Sequence, residues 1–123
     1  MTLILLGIIA VFFLYTGLHS LIAPKKFAQM LNLEPIERSG EIEIRAQYGG
    51  FFLAAACSQI AGILGYLPAA TALMVSFVIF GGLIGGRLIA LFWPGSAPIS
   101  PTIRSLFIVD AIGAVATAYA LYG

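Results

Sequence analysis

The sequence predicts an all-α fold: a membrane-embedded four-helix bundle with a short amphipathic interfacial helix between spans 1 and 2. Three observations carry this. Four apolar stretches occupy roughly residues 2–23, 44–67, 69–92 and 102–122. The chain is 61% hydrophobic and only 9% charged, where an ordinary soluble domain is about 25% charged. Every charged side chain lies at or near one end of an apolar stretch, and those ends all belong on one side of a membrane.

A bilayer core about 30 Å thick takes about 20 apolar residues per helical span. Four such spans use most of the 123 residues. The reading is therefore a single four-span transmembrane domain over residues 1–123, with no room for a soluble one. A closed barrel is the other spanning architecture. Its strands alternate apolar and polar residues, whereas these stretches are continuously apolar.

Span 1 runs from Thr2 to Ala23, and Pro24 stops it or begins the next helix. It lacks a basic leading region and a small-x-small cleavage site, so an uncleaved span is expected rather than a signal peptide. Residues 24–33 set Phe27, Met30, Leu31 and Leu33 among Lys25, Lys26, Gln29 and Asn32. That pattern fits a short amphipathic helix at the interface. Residues 34–43 read as a polar turn containing Pro35 and Gly40. Glu41 stands four residues before Arg45, the favourable order for a helical ion pair, so span 2 is expected to start ahead of its apolar core. Pro68 closes span 2, and the short connection makes spans 2 and 3 antiparallel neighbours. Trp93, Pro94 and Gly95 end span 3, with Trp93 at interface depth. The loop GSAPISP leads into span 4 at about Thr102, and Tyr119 and Tyr122 lie at its outer end.

The six Lys and Arg residues lie on the 1–2 connection or flank the 3–4 connection. The positive-inside rule makes that side cytoplasmic. Both termini and the turn Gly65-Tyr66-Leu67-Pro68 are then expected outside. The charge is spread without a basic patch, so no nucleic-acid partner is expected.

Small residues crowd the helix faces. Gly49 and Gly50 lie in span 2, and Gly81, Gly82, Gly85 and Gly86 form overlapping small-xxx-small pairs in span 3. Lipid supplies no hydrophobic drive for helix association, so close backbone approach must supply contact. These six glycines are expected to pack helices within the chain; a homodimer is the alternative use of the span 3 pairs.

Arg87 lies about 8 Å below the interface at 1.5 Å per residue, and Asp110 about 12 Å by the same rise. A lone charge at helix centre costs about 2.5–3.5 kcal/mol on insertion scales, so the two are expected to face each other. Arg45 begins span 2 on the face of Glu41 and Tyr48, and His19 lies about one turn from the end of span 1. His19, Glu41, Arg45, Tyr48, Arg87 and Asp110 are therefore the candidate layer. It forms either a structural ion-pair network or a pocket for an anionic headgroup or small acid, since the Arg fork matches carboxylate and phosphate.

One His and one Cys make no metal site. Cys57 reads as a small buried apolar residue. No nucleophile elbow or phosphate loop is present. No metal, cofactor or catalytic residue is expected.

Three features together resemble one bacterial family: Arg45-Ala46-Gln47-Tyr48-Gly49-Gly50, the run from Gly81-Gly82 to Gly86-Arg87-Leu88, and an acid in the last span. It is the four-helix inner-membrane family of unknown function catalogued as domain-of-unknown-function family 4345. The likeness covers nearly the whole chain, at Arg45, Tyr48, Gly49, Gly50, Gly82, Arg87 and Asp110. The usual polar residue with Gly after the third span appears only as Pro94-Gly95. The resemblance implies a fold and a bacterial inner-membrane location, but no activity. The functional expectation is a non-enzymatic membrane protein. It binds a lipid or small amphiphile, or serves as an accessory subunit of a larger membrane complex. The alternative is a small oligomeric transporter or channel subunit.

Overall fold

The computed structural model describes residues 1–95 and 100–123. Part of the expected loop GSAPISP, residues 96–99, lies outside the described residues. The elements in order are α1 (Thr2–Ile22), α2 (Pro24–Met30), α3 (Arg38–Ile44), a π-helical segment (Arg45–Gly50), α4 (Phe51–Leu64), α5 (Ala69–Leu91) and α6 (Pro101–Tyr122). No strand occurs among the described residues. Four continuous helices, Thr2–Ile22, Arg38–Leu64, Ala69–Leu91 and Pro101–Tyr122, are long and apolar enough to cross a membrane. Side chains such as Ile4, Ile8 and Val11 of α1 are exposed, as lipid-facing residues of a multi-pass protein are. Cys57, expected to be buried, is exposed on α4. The chain forms two compact units, residues 1–72 and 73–123.

In the first unit α1 buries Leu6, Ile9, Ala10, Phe13, Gly17 and Ser20. That three-and-four spacing puts them on one helix face. From the π-helical segment onward the partner helix buries Gly49, Phe52, Ala55, Ala56, Gln59 and Gly62. A Cβ added at Gly49 would fall 2.7 Å from Leu21 Cγ, one at Gly17 2.8 Å from Leu53 Cγ, and one at Gly62 3.3 Å from Leu6 Cδ1. Contacts that climb one helix as they descend the other define an antiparallel pair. Its glycines let the backbones approach. The rings of Phe13 and Phe52 fill the space between, with centroids 5.5 Å apart.

Span 2 begins at Arg38, ahead of its apolar core as the Glu41–Arg45 spacing suggested, but its register is interrupted. The Phe51 N–H donates to Ala46 O, five residues back. Such widened turns are rare and short. Neither Gly49 nor Gly50 has a Cβ to resist the distortion. Gly50 is exposed, and a Cβ there would come no closer than 4.0 Å to Arg45 O. Contrary to expectation, it packs against no other helix among the described residues.

The ends are closed by backbone geometry. Asn32 adopts φ 59° after α2, with Leu33 N–H donating to Ala28 O and Asn32 N–H to Gln29 O. This left-handed C-terminal motif satisfies carbonyls that α2 leaves unpaired. Gly65 (φ 84°) plays the same part after α4, where the Tyr66 and Leu67 N–H groups reach Ala61 O. Gln59, fully buried, donates from Nε2 to Ala72 O at 3.0 Å, joining α4 to the first turn of α5.

In the second unit Ser100 caps α6, its hydroxyl accepting from Ile103 N–H, with Pro101 in the first turn. This pairing of a hydroxyl cap and an early proline sets the start of a helix. A Cβ on Gly113 would lie 2.6 Å from the Phe80 ring, so α5 and α6 meet closely there. The glycines expected to do this work do not. At Gly81, Gly82, Gly85 and Gly86 an added Cβ meets no described residue within 4 Å. The spacing marks a face on which close approach is possible; it does not say which face carries a partner.

Two glycine classes should therefore respond oppositely. Gly17→Ala and Gly113→Ala overpack and are expected to destabilise by about 1–3 kcal/mol. Gly82→Ala gains helix propensity and is expected to stabilise by about 0.5–1 kcal/mol. Melting temperatures in detergent check both; a Gly82→Ala loss equal to that of Gly17→Ala would overturn the distinction.

Candidate functional site

The sequence-predicted residues fall into two groups, one in each unit. His19, Glu41, Arg45 and Tyr48 surround the C-terminal end of α1, where α1 turns into α2. Arg87 and Asp110 belong to α5 and α6.

The last carbonyls of any α-helix lack intrahelical donors. Here Leu21 O receives Arg45 Nε at 3.0 Å. The arginine thus closes the end of α1 from another helix and places its cation where the helix dipole is negative. Its residue remains exposed. The expected Glu41–Arg45 pair does not form. Glu41 instead stands 3.9 Å from Lys25 Nζ, because Arg45 is turned toward the α1 carbonyl. The Lys25 side chain is 72% exposed, so this contact is a weak surface pair. Two residues on, Gln47 donates to Glu43 at 3.1 Å.

Inside this charged corner runs a chain of rings. Tyr15 and His19 have centroids 5.7 Å apart. His19 meets Phe27 edge-on at 5.6 Å, Phe27 meets Tyr48 at 5.2 Å, and Tyr48 lies parallel to Phe52 at 6.4 Å. Phe27 on α2 is the bridge between His19 and Tyr48. It is buried, so the apolar side of α2 packs against protein while Lys25, Lys26 and Gln29 remain exposed. His19 Nδ1 is buried without a hydrogen bond among the described residues.

In the second unit Arg87 Nη1 and Asp110 Oδ2 form an ion pair. The Asp110 side chain is 3% exposed and that of Arg87 24%. A carboxylate so deeply buried is tolerable within an apolar span because a cation meets it.

Sequence reasoning missed Lys25, Phe27 and the π-helical segment as parts of the first group. Lys25 read as a topology signal and Phe27 as an interface residue. The one signal for the π segment was the Gly49-Gly50 pair immediately after Tyr48. Chemically, the first group offers a guanidinium, a weakly held ammonium and an aromatic floor. No cluster of three His, Cys, Asp or Glu side chains exists among the described residues.

A family model described as Domain of unknown function (DUF4345) matches residues 1–121. No curated protein and no solved structure matches the chain.

The ion pair has a diagnostic energetic signature. Asp110→Asn or Arg87→Met leaves one partner buried and is expected to destabilise by about 3–5 kcal/mol. The combined Arg87→Met, Asp110→Leu variant removes both charges and should cost less than either single change. Chemical denaturation in mixed micelles measures the cycle; additive losses would show that the two residues act independently.

Proposed function

The chain belongs to the DUF4345 family, and on that premise we propose that it is an integral membrane protein that binds a lipid or small amphiphile. It acts without catalysis, as a carrier of that ligand or as an accessory subunit of a membrane complex. The observation that carries this reading is the corner at the end of α1. There Arg45 and Lys25 gather at the same turn as a row of rings from His19 through Phe27 to Tyr48. Such a layout complements a molecule with a polar head and an apolar body.

The positive-inside rule orients the proposed protein with the α1–α2 corner in the cytoplasmic leaflet of a bacterial inner membrane. Both termini and the Tyr66 turn then lie outside. In a Cys57→Ala background, Tyr66→Cys should react with a membrane-impermeant maleimide in intact spheroplasts. Lys26→Cys should react only after lysis; the reverse pattern would overturn the orientation.

A second reading, a small oligomeric transporter or channel subunit, is favoured by one feature. The open glycine face of Gly81, Gly82, Gly85 and Gly86 on α5 could admit a second helix.

Lipid extraction after purification in a mild detergent tests the leading reading. The wild-type chain should carry a bound amphiphile that Tyr48→Ala and Arg45→Gln deplete. A chain that emerges bare while folded and monomeric would refute binding; a stable oligomer, bare of lipid, would favour the second reading.

A further inference from the structure

We propose that the α1–α2 corner holds a phosphate-class oxyanion between Arg45 and Lys25, carried by an anionic lipid headgroup or free in solution. This rests on the amphiphile reading and specifies its polar half.

Two cross-ties bring the cations to one place. Arg45 is bound to Leu21 O, four residues before Lys25 in the chain. Lys25 is paired with Glu41, one helical turn before Arg45. The ammonium and the guanidinium therefore flank the same corner from opposite chain directions. Leu21 is the penultimate residue of α1, so in the proposed orientation the corner comes at the end of a span, where lipid headgroups lie.

The guanidinium is fixed yet uncommitted. Its Nε–H is used by Leu21 O, which sets the plane of the group. Its Nη atoms make no hydrogen bond or ion pair with a described residue. They present the paired N–H donors that match two oxygens of a phosphate. Among the described residues Lys25 is held by Glu41 alone, across 3.9 Å and with its own side chain 72% exposed, a weak surface pair that leaves the ammonium available to an oxyanion. Glu41 is the acid facing this corner, and Gln47 holds Glu43. Lys26, exposed beside Lys25, adds to the positive field.

The backbone is an independent observation. Arg45 is the first residue of the π-helical segment. A regular α-helix is the lower-energy form, and π turns that persist are frequently found at functional sites.

Native mass spectrometry of the full chain, released from nanodiscs of equimolar phosphatidylcholine and phosphatidylglycerol, reads the retained lipid. The expected result is an enrichment of phosphatidylglycerol of about fivefold, the gain from one basic contact at a membrane surface. Arg45→Gln removes it. Arg45→Lys keeps the charge without the fork and restores only part. Because Arg45 also closes α1, Lys25→Gln serves as the variant that leaves that closure intact. It should lower the enrichment without lowering the melting temperature. In phospholipid-free detergent, inorganic phosphate raises the wild-type melting temperature if the free anion is the source. If phosphate has no effect, enrichment in nanodiscs assigns the oxyanion to lipid. Equal retention of both lipids, with no phosphate response, overturns the oxyanion and leaves the amphiphile reading standing. A bare, unresponsive chain overturns both. Enrichment that survives both Arg45→Gln and Lys25→Gln overturns this site.

Discussion

In hydrocarbon no water is available to satisfy a polar group, so each must find its partner within the chain. That constraint orders the structure more than any single contact. It makes the spans helical. It puts the Ser20 hydroxyl on Gly17 O, and that of Thr117 on Gly113 O and Ala114 O. It sends the Gln59 amide to Ala72 O. It also leaves visible exceptions. Gln59 Oε1, Ser76 Oγ and His19 Nδ1 are buried without a partner among the described residues. Each such group costs about 1–3 kcal/mol, so they are the places where polar chemistry inside this protein is least settled.

Helix association draws on contact area, which requires backbones to approach. The first unit achieves this at Gly17, Gly49 and Gly62, each set against a bulky or methyl side chain of the facing helix. Close packing there and the polar closure of α1 are linked. The side chain of Leu21 covers Gly49, while its carbonyl receives Arg45, four residues earlier on the same strand of chain. One residue of α1 therefore fixes both the spacing and the rotation of the helix it faces. The π-helical segment spans both contacts.

What could be read from the sequence follows from the same physics. Span number and approximate limits depend on hydropathy and length, which are additive along the chain, so the four spans were legible. The need of Asp110 for a cation was legible because the penalty of an isolated buried charge is large and Arg87 stands at a matching depth. Partner choice among weakly bound groups was not legible. Glu41 has Arg45 and Lys25 in reach, and the choice turns on a competing carbonyl of Leu21 that sequence does not display. The open glycines of α5 and the filled ones at Gly17 and Gly113 have the same local signature. Only the identity of the facing residue separates them. The π turn was hidden for a related reason: such widened turns are rare, and apart from the Gly49-Gly50 pair nothing local marks one.

The two helix-borne arginines of the candidate layer show how one residue type can be divided between roles. Arg87 meets a carboxylate that is 3% exposed, and its charge is consumed in making Asp110 tolerable. Arg45 meets a neutral carbonyl. That contact orients the guanidinium but leaves its charge uncompensated, and Glu41, one helical turn before it, is turned to Lys25. A cation held in place by a neutral acceptor keeps its full attraction for an anion, whereas one held by a carboxylate does not. By that criterion the proposed oxyanion site belongs at the end of α1, and the Arg87–Asp110 pair holds α5 to α6.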